Sequence, residues 1–290
     1  MFQGCIVALV TPMLASGALD EDSVRSLIEK HIEAGINGIV VCGSTGEAPT
    51  LTKEETYRLI QLAVETAKGR IPIIAGTGTY STADTIARTA EAKKLGAAAC
   101  LINVPYYNRP TQEGIFQHFS AVANAVSIPI ILYNNPVRMG VDMLPETVER
   151  LSHIPNIIAL KECADLGRVK TLLANCEPNF LLFSGVDDNG LAFILQGGKG
   201  VISVTANVAP KTMCEMINAA LAMDFRTAGE INTKLMPLHK ALGLESNPIP
   251  VKWAAQQLGW IKEGIRLPLT PFSQQHHEAL KEAMKISGVI

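Results

Sequence analysis

Residues 156–163 read N-I-I-A-L-K-E-C, an aliphatic run that leads directly into a lysine. Seven other short runs, apolar and rich in β-branched residues, recur along the chain. Each run is continuously apolar rather than alternating, which is typical of strands covered on both faces in a parallel sheet. The eight predicted strands are CIVALVT (5–11), GIVVCG (38–43), IPIIAG (71–76), ACLINV (99–104), PIILYN (129–134), IIALK (157–161), FLLFSG (180–185) and GVISV (200–204).

The segments between these runs have the spacing of helices. Residues 21–35 and 53–69 carry apolar residues three and four positions apart, and both segments end at glycine. Thr52 and Glu55 predict a capping box at the start of the second segment. Eight strand–helix units in succession predict a (β/α)8 TIM barrel of the α/β class. An open doubly wound sheet is the alternative, and the lack of G-x-G-x-x-G after the first strand favours the barrel.

The strand pattern stops before the last quarter of the chain. Residues 226–290 predict three helices, interrupted at the proline-rich stretches NPIPVK (247–252) and RLPLTP (266–271). We therefore predict a barrel with the active site at 1–225 and a C-terminal three-helix extension at 226–290. The extension is also a candidate for an oligomer interface.

Composition excludes several classes of function. Hydrophobic residues make up 48% of the chain, charged residues 18%, and the formal net charge is -2, so we expect no nucleic-acid or anionic-membrane partner. The N-terminal MFQGCIVALVTPM has no basic region before its short apolar run, which predicts a cytoplasmic protein without a signal peptide. The six cysteines are scattered without C-x-x-C, and the histidines lack ligand spacing. We therefore expect reduced thiols and no metal site.

The lysine that ends the sixth strand is the candidate reactive group. In a (β/α)8 barrel the carboxyl ends of the strands carry the chemistry, and Lys161 is the only lysine at such an end. Burial penalises the charged form of a lysine, and a neutral amine is a nucleophile for a ketone or aldehyde, with which it forms a Schiff base. The structural alternative is an ion pair between Lys161 and Glu162 or another nearby acid.

Polar residues at the other strand ends suit the same chemistry. Tyr133, on the neighbouring strand, is placed to move a proton during imine formation, although a tyrosine with a satisfied hydroxyl in the core is the commoner case. The turn G-S-T-G-E (43–47) offers backbone N–H groups and two hydroxyls to a small carboxylate, or is an ordinary loop. Arg138 follows a proline-stiffened turn, where its guanidinium suits a second carboxylate or stays solvated. The seventh strand ends at Gly185, which we assign to the substrate-binding set.

Five motifs together resemble the dihydrodipicolinate synthase / N-acetylneuraminate lyase family of pyruvate-dependent class I aldolases. They are G-S-T-G-E, P-Y-Y-N-R-P, L-Y-N-N-P-V-R-M-G, L-K-E-C and G-V-I-S-V-T-A-N, and the resemblance covers essentially the whole chain. The arginine after Y-N-N-P points to the synthase branch, which condenses pyruvate with aspartate semialdehyde towards diaminopimelate and lysine.

The resemblance implies a role for each site residue. Lys161 forms the imine with pyruvate and Tyr133 donates and accepts protons. Tyr107, supplied across a subunit contact, completes a hydroxyl relay with Ser44. The pyruvate carboxylate is held by Thr45 and the Ile202 backbone, and the semialdehyde carboxylate by Arg138. The resemblance also implies a homotetramer built from tight dimers, with no cofactor beyond the covalent pyruvate imine.

Two departures from the synthase pattern bear on specificity. Ser44 stands where synthases usually carry threonine; it keeps the hydroxyl, and the lyases share it. At the positions where some synthases bind the inhibitor lysine, a cationic Lys53 and a proline predict weak or absent inhibition. The residues at those positions are Ala48, Pro49, Lys53, Thr56, Tyr80 and Asp84.

Three alternative functions remain open on the sequence. A lyase for N-acetylneuraminate or 2-keto-3-deoxysugar acids shares Lys161 and Tyr133 but takes a polyhydroxylated aldehyde, which Arg138 argues against. A barrel that only binds a keto acid has no need of the lysine–tyrosine pair. A metal-assisted hydrolase using Asp187 and Asp188 lacks the histidines that such sites usually need.

Overall fold

Eight parallel strands form a closed barrel in the computed structural model, which describes residues 2–290. Each strand pairs with its neighbours in chain order, and β8 pairs with β1 to close the ring. The predicted (β/α)8 fold is confirmed. The strands are β1 (Gly4–Ala8), β2 (Gly38–Val41), β3 (Ile73–Gly76), β4 (Ala99–Asn103), β5 (Ile130–Asn134), β6 (Ile157–Glu162), β7 (Leu181–Ser184) and β8 (Gly200–Ser203).

Helices follow each strand and surround the barrel, so that both faces of the sheet are covered, as the continuous apolar runs predict. The helices before β8 are α1 (Glu21–Glu33), α2 (Lys53–Ala67), α3 (Thr82–Lys94), α4 (Gln112–Ala125), α5 (Pro136–Met139), α6 (Pro145–Ser152), α7 (Arg168–Asn175) and α8 (Gly190–Leu195). The helices after β8 are α9 (Pro210–Leu221), α10 (Phe225–Ala241), α11 (Ile249–Gln257) and α12 (His277–Ile286).

The start of α2 shows how local sequence fixes a helix end. The Thr52 hydroxyl accepts from the Glu55 backbone N–H at 3.2 Å, and the Glu55 carboxylate accepts from the Thr52 N–H at 3.0 Å. The predicted capping box is therefore confirmed. It satisfies two backbone donors that would otherwise lack partners and holds α2 directly behind the turn at 43–47.

The C-terminal part contains three α-helices, as predicted. The first of them, α10, begins at Phe225 and packs against α9 and α12. The helix interruption predicted at 247–252 is wrong from Ile249 onward, because α11 begins at that residue. Pro250 lies in the first turn of α11, where a missing N–H costs no helical hydrogen bond. The division at 225/226 remains a prediction about domain organisation.

No helix in residues 2–290 is long and apolar enough to cross a membrane.

Candidate active site

Two residues on neighbouring strands form the centre of the site. Tyr133 on β5 lies in register with Lys161 on β6, so the predicted adjacency is confirmed. Lys161 Nζ lies 4.6 Å from the centroid of the Tyr133 ring, and each of the two residues is 6% exposed. A buried amine beside a tyrosine ring has the components that imine chemistry needs: a nucleophile and a proton carrier.

The neighbouring carboxylate does not neutralise this lysine. Glu162 Oε1 accepts from Asn134 Nδ2 at 2.9 Å and from the Ala164 N–H at 2.9 Å. Its Oε2 lies 3.8 Å from Arg168 Nε, and burial raises the pKa of this carboxyl group above its ordinary value. Within residues 2–290, no carboxylate forms an ion pair with Lys161. The structural alternative of a Lys161–Glu162 pair is therefore wrong.

Gly185, at the end of β7, provides the space that the Lys161 side chain occupies. A Cβ atom at this position would lie 2.7 Å from Lys161 Cε, 3.0 Å from Lys161 Cγ and 2.2 Å from Cys163 Sγ. All three distances are shorter than ordinary van der Waals contacts. Any side chain at position 185 would therefore displace the lysine from its path into the barrel mouth.

Ser44 of the turn at 43–47 lines the same cavity as Tyr133. Ser44 is half-buried, and the cavity, of about 410 Å³, is also lined by Arg138 and Asn247. Thr45 is buried, and its Oγ1 accepts from Asn247 Nδ2 at 2.9 Å. Because that lone pair is engaged, the Thr45 hydroxyl proton is available to a ligand carboxylate.

Arg138 lies at the outer edge of the same cavity. It is exposed, in the short helix α5, and one of its terminal nitrogens donates to the Asn247 carbonyl at 3.3 Å. The Asn135 side chain caps this helix by accepting from the Arg138 N–H at 3.1 Å. The guanidinium therefore faces solvent at the edge of the cavity.

The other predicted site residues differ in their placement. Ile202 lies on β8, fully buried, with its backbone in the barrel wall. Tyr107 is 90% exposed, with a left-handed φ of 69°, so a single chain does not bring its hydroxyl into the site. Thr205, which follows β8, hydrogen-bonds through its hydroxyl to His239 Nδ1 at 2.8 Å.

Sequence reasoning missed two residues from a distant part of the chain. Asn247 bridges Thr45 and Arg138, as described above. Lys252 in α11 forms a buried ion pair with Glu47, the last residue of the turn. Both residues lie in the proline-rich stretch at 247–252, the predicted helix interruption. Nothing in that stretch indicates a contact with residues some 200 positions earlier in the chain.

Asp187 and Asp188 do not form a metal site with other residues. Asp187 Oδ2 accepts from the Val204 N–H at 2.9 Å and from the Thr205 N–H at 3.0 Å, which ties the β7 loop to the β8 loop. In the part of the chain that the structure describes, no group of three or more histidine, cysteine, aspartate or glutamate residues has the arrangement of a metal site.

The comparison with family models assigns the whole barrel and most of the C-terminal part to one family. The model of the Dihydrodipicolinate synthetase family matches residues 1–287. This chain belongs to that family. The 4-hydroxy-tetrahydrodipicolinate synthase of Pseudomonas aeruginosa is 54% identical to it over 291 residues, with all of both chains covered.

Solved structures of the family superpose on the whole chain. The chloride-inhibited dihydrodipicolinate synthase from Acinetobacter baumannii, complexed with pyruvate, gives a TM-score of 0.98 at 49% identity, with all of both chains covered. A monomeric dihydrodipicolinate synthase variant gives a TM-score of 0.97 at 39% identity, over 100% of this chain and 98% of the variant. Family membership therefore holds for the barrel and the C-terminal helices together.

Proposed function

We propose that this chain condenses pyruvate with L-aspartate 4-semialdehyde to 4-hydroxy-tetrahydrodipicolinate, a step of diaminopimelate and lysine biosynthesis. The observation that carries the proposal is the buried Lys161 amine beside Tyr133, with no carboxylate paired to it in residues 2–290. The named synthase relatives, at 54% identity over the full length, support the same reaction.

The first half of the reaction activates pyruvate. The Lys161 amine attacks the ketone carbon, and loss of one water gives a protonated imine. Tyr133 carries the protons of these steps, and the turn at 43–47 holds the carboxylate through Thr45 and backbone N–H groups. The imine nitrogen then accepts the electron pair that is left when a methyl proton departs, which produces an enamine.

The second half forms the carbon–carbon bond. The enamine carbon attacks the aldehyde carbon of the semialdehyde, and the resulting alkoxide takes a proton. The amino group of the second substrate then displaces Lys161 from the imine, which closes the ring and frees the enzyme, so one water is released overall. Arg138, exposed at the entrance, binds the carboxylate of this second substrate.

We propose that the working assembly is a homotetramer of two tight dimers. Tyr107 from one subunit reaches the site of its dimer partner and links Ser44 to Tyr133 through hydroxyl groups. In support, Tyr107 is 90% exposed, and Val137 in α5 is 94% exposed. Large apolar side chains on one rim suit burial by a second copy.

No cofactor is needed for this mechanism, because the covalent imine on Lys161 supplies the electron sink. We propose a cytoplasmic location, since all six cysteines are free thiols and four of them are buried.

Borohydride reduction in the presence of pyruvate tests the mechanism. We expect one reduced pyruvyl adduct per chain, located at Lys161 by peptide mass spectrometry. Lys161→Ala should gain none, and Lys199→Ala, which changes an exposed lysine before β8, should still be labelled. An unlabelled wild-type protein would refute the imine. Comparing rates with aspartate semialdehyde and N-acetylmannosamine separates the synthase from the sugar-acid lyase.

A further inference from the structure

A buried ion pair links the C-terminal helices to the turn that faces the substrate. Glu47 ends the turn at 43–47, and Lys252 lies in α11, 205 residues later. Lys252 Nζ donates to Glu47 Oε1, and the two residues are 5% and 2% exposed. A buried ion pair is often no better for stability than apolar residues of the same volume, so its presence here calls for a role besides stability.

The backbone that this pair holds is in an unfavourable conformation. Glu47 has a φ of 57° and Cys42, just before the turn, has a φ of 55°, both in the left-handed region that non-glycine residues avoid. Such conformations persist only where the surroundings enforce them. Both Glu47 oxygens are engaged by the C-terminal part, because Oε2 accepts from the Arg266 N–H at 3.3 Å.

Backbone hydrogen bonds also close the turn on itself, because the Glu47 N–H donates to the Ser44 carbonyl at 3.1 Å and the Ala48 N–H donates to the Gly43 carbonyl at 3.2 Å. Thr11 Oγ1 donates to the Gly46 carbonyl at 2.7 Å, and Asn247 Nδ2 donates to Thr45 Oγ1. The Thr11 contact holds one carbonyl and the Asn247 contact holds one side chain. The Glu47 carboxylate adds the contacts that join the last residue of the turn to the C-terminal part of the chain, through Lys252 and the Arg266 N–H.

We propose that Glu47 and Lys252 are positioning residues that hold the turn at 43–47 in its pyruvate-binding conformation. The inference rests on the proposed function, because it assumes that this turn receives the pyruvate carboxylate. The pair acts on pyruvate through Thr45 and the backbone of the turn, and neither member touches the reacting atoms. Neither member of the pair contacts Arg138, whose guanidinium donates to the Asn247 carbonyl instead.

Three variants test the proposal: Glu47→Gln, Lys252→Met and the double variant. We expect each to raise the KM for pyruvate at least about tenfold, the effect of losing a buried charged hydrogen bond. The kcat at saturating pyruvate and the KM for the semialdehyde should stay within about threefold of wild type. The double variant should be no worse than the more affected single variant, because both changes break one contact. Lys262→Met is the matched control: it removes an ion pair of 3.2 Å with Asp20 and should leave the KM for pyruvate unchanged.

The outcomes distinguish this role from simple stabilisation. A lowered melting temperature with a wild-type KM for pyruvate overturns the proposal, as does an equal loss for both substrates. The double variant leaves no unpaired buried charge, so it decides the question if the single variants do not fold. In wild type, hydrogen exchange gives an independent measurement: pyruvate should protect peptides covering 43–50 and 247–257 together, and protection of the first alone overturns the proposal. If wild type forms no borohydride adduct, the proposed function fails. If wild type forms the adduct and the variants keep the wild-type KM for pyruvate, only the positioning role is refuted.

Discussion

Replacing Gly185 with alanine tests how tightly the position of Lys161 is held. The new Cβ would lie 2.7 Å from Lys161 Cε, about 1 Å inside the normal carbon–carbon contact distance. The lysine therefore has to move by about 1 Å, and a shift of that size costs on the order of 100-fold in rate, or about 2.7 kcal/mol. We expect kcat/KM for the condensation and the rate of borohydride trapping with pyruvate to fall together by this factor.

A second overpacked glycine separates misplacement of the lysine from general damage. A Cβ on Gly190 would lie 2.8 Å from Val201 Cγ2, in the packing of α8 on β8 and away from Lys161. Each alanine should destabilise the fold by about 1–3 kcal/mol, seen as a melting temperature lowered by a few degrees. Only Gly185→Ala should slow the trapping reaction.

The contact with Cys163 provides a further check. Adding Cys163→Ala to Gly185→Ala relieves the 2.2 Å contact with sulfur but not the contact with Lys161, so stability should recover in part while the rate stays low. If Gly185→Ala traps pyruvate at the wild-type rate, the claim that this glycine positions the nucleophile is refuted.

Three other changes address the second substrate, inhibition and pH. Arg138→Leu should raise the KM for the semialdehyde about tenfold or more and leave the pyruvyl adduct unchanged; a loss of the adduct contradicts the assigned role. Lys53 Nζ lies 2.8 Å from Asp84, which also pairs with Arg88, so these three side chains together carry a net positive charge. Free lysine, itself a cation, should therefore inhibit the enzyme only weakly. Half-maximal inhibition below millimolar lysine in a steady-state assay would contradict this expectation. Burial lowers the pKa of His118 from 6.5 to about 4, so the folded state binds fewer protons than the unfolded state between these values. Stability should therefore fall by up to about 3 kcal/mol as pH drops from 6.5 to 4, and His118→Gln should lose less; melting curves with equal pH dependence for both proteins refute this.

The positions of the strands followed from the sequence because buried parallel strands have a simple signature. All eight predicted runs contain a strand, and the largest error is at the first, which was predicted to run to Thr11 and ends at Ala8. Leu9 and Val10 remain buried, so their apolar character misled the prediction. The Val10 N–H donates to the Asn207 side chain at 2.9 Å rather than to a neighbouring strand.

The candidate site was predictable where it depends on strand order. Once β5 and β6 are neighbours, Tyr133 and Lys161 must meet at the functional rim. Asn247 and Lys252 were not predictable in the same way, because their contacts depend on how the C-terminal helices dock on the barrel. No periodic pattern encodes that docking. A left-handed backbone conformation is usually predicted from a glycine, and position 47 is a glutamate.

The contacts of Asn247, Lys252 and Arg266 with the turn at 43–47 have a consequence for anyone who divides or recombines this chain. A fragment that ends at residue 225 keeps all eight strands, Lys161 and Tyr133, yet it lacks the three residues of the C-terminal part that contact the turn at 43–47. The modular unit for transplantation or circular permutation is therefore the barrel together with residues 246–268. A graft of the barrel alone would carry Lys161 without the contacts that hold the turn at 43–47, the turn that we propose binds pyruvate.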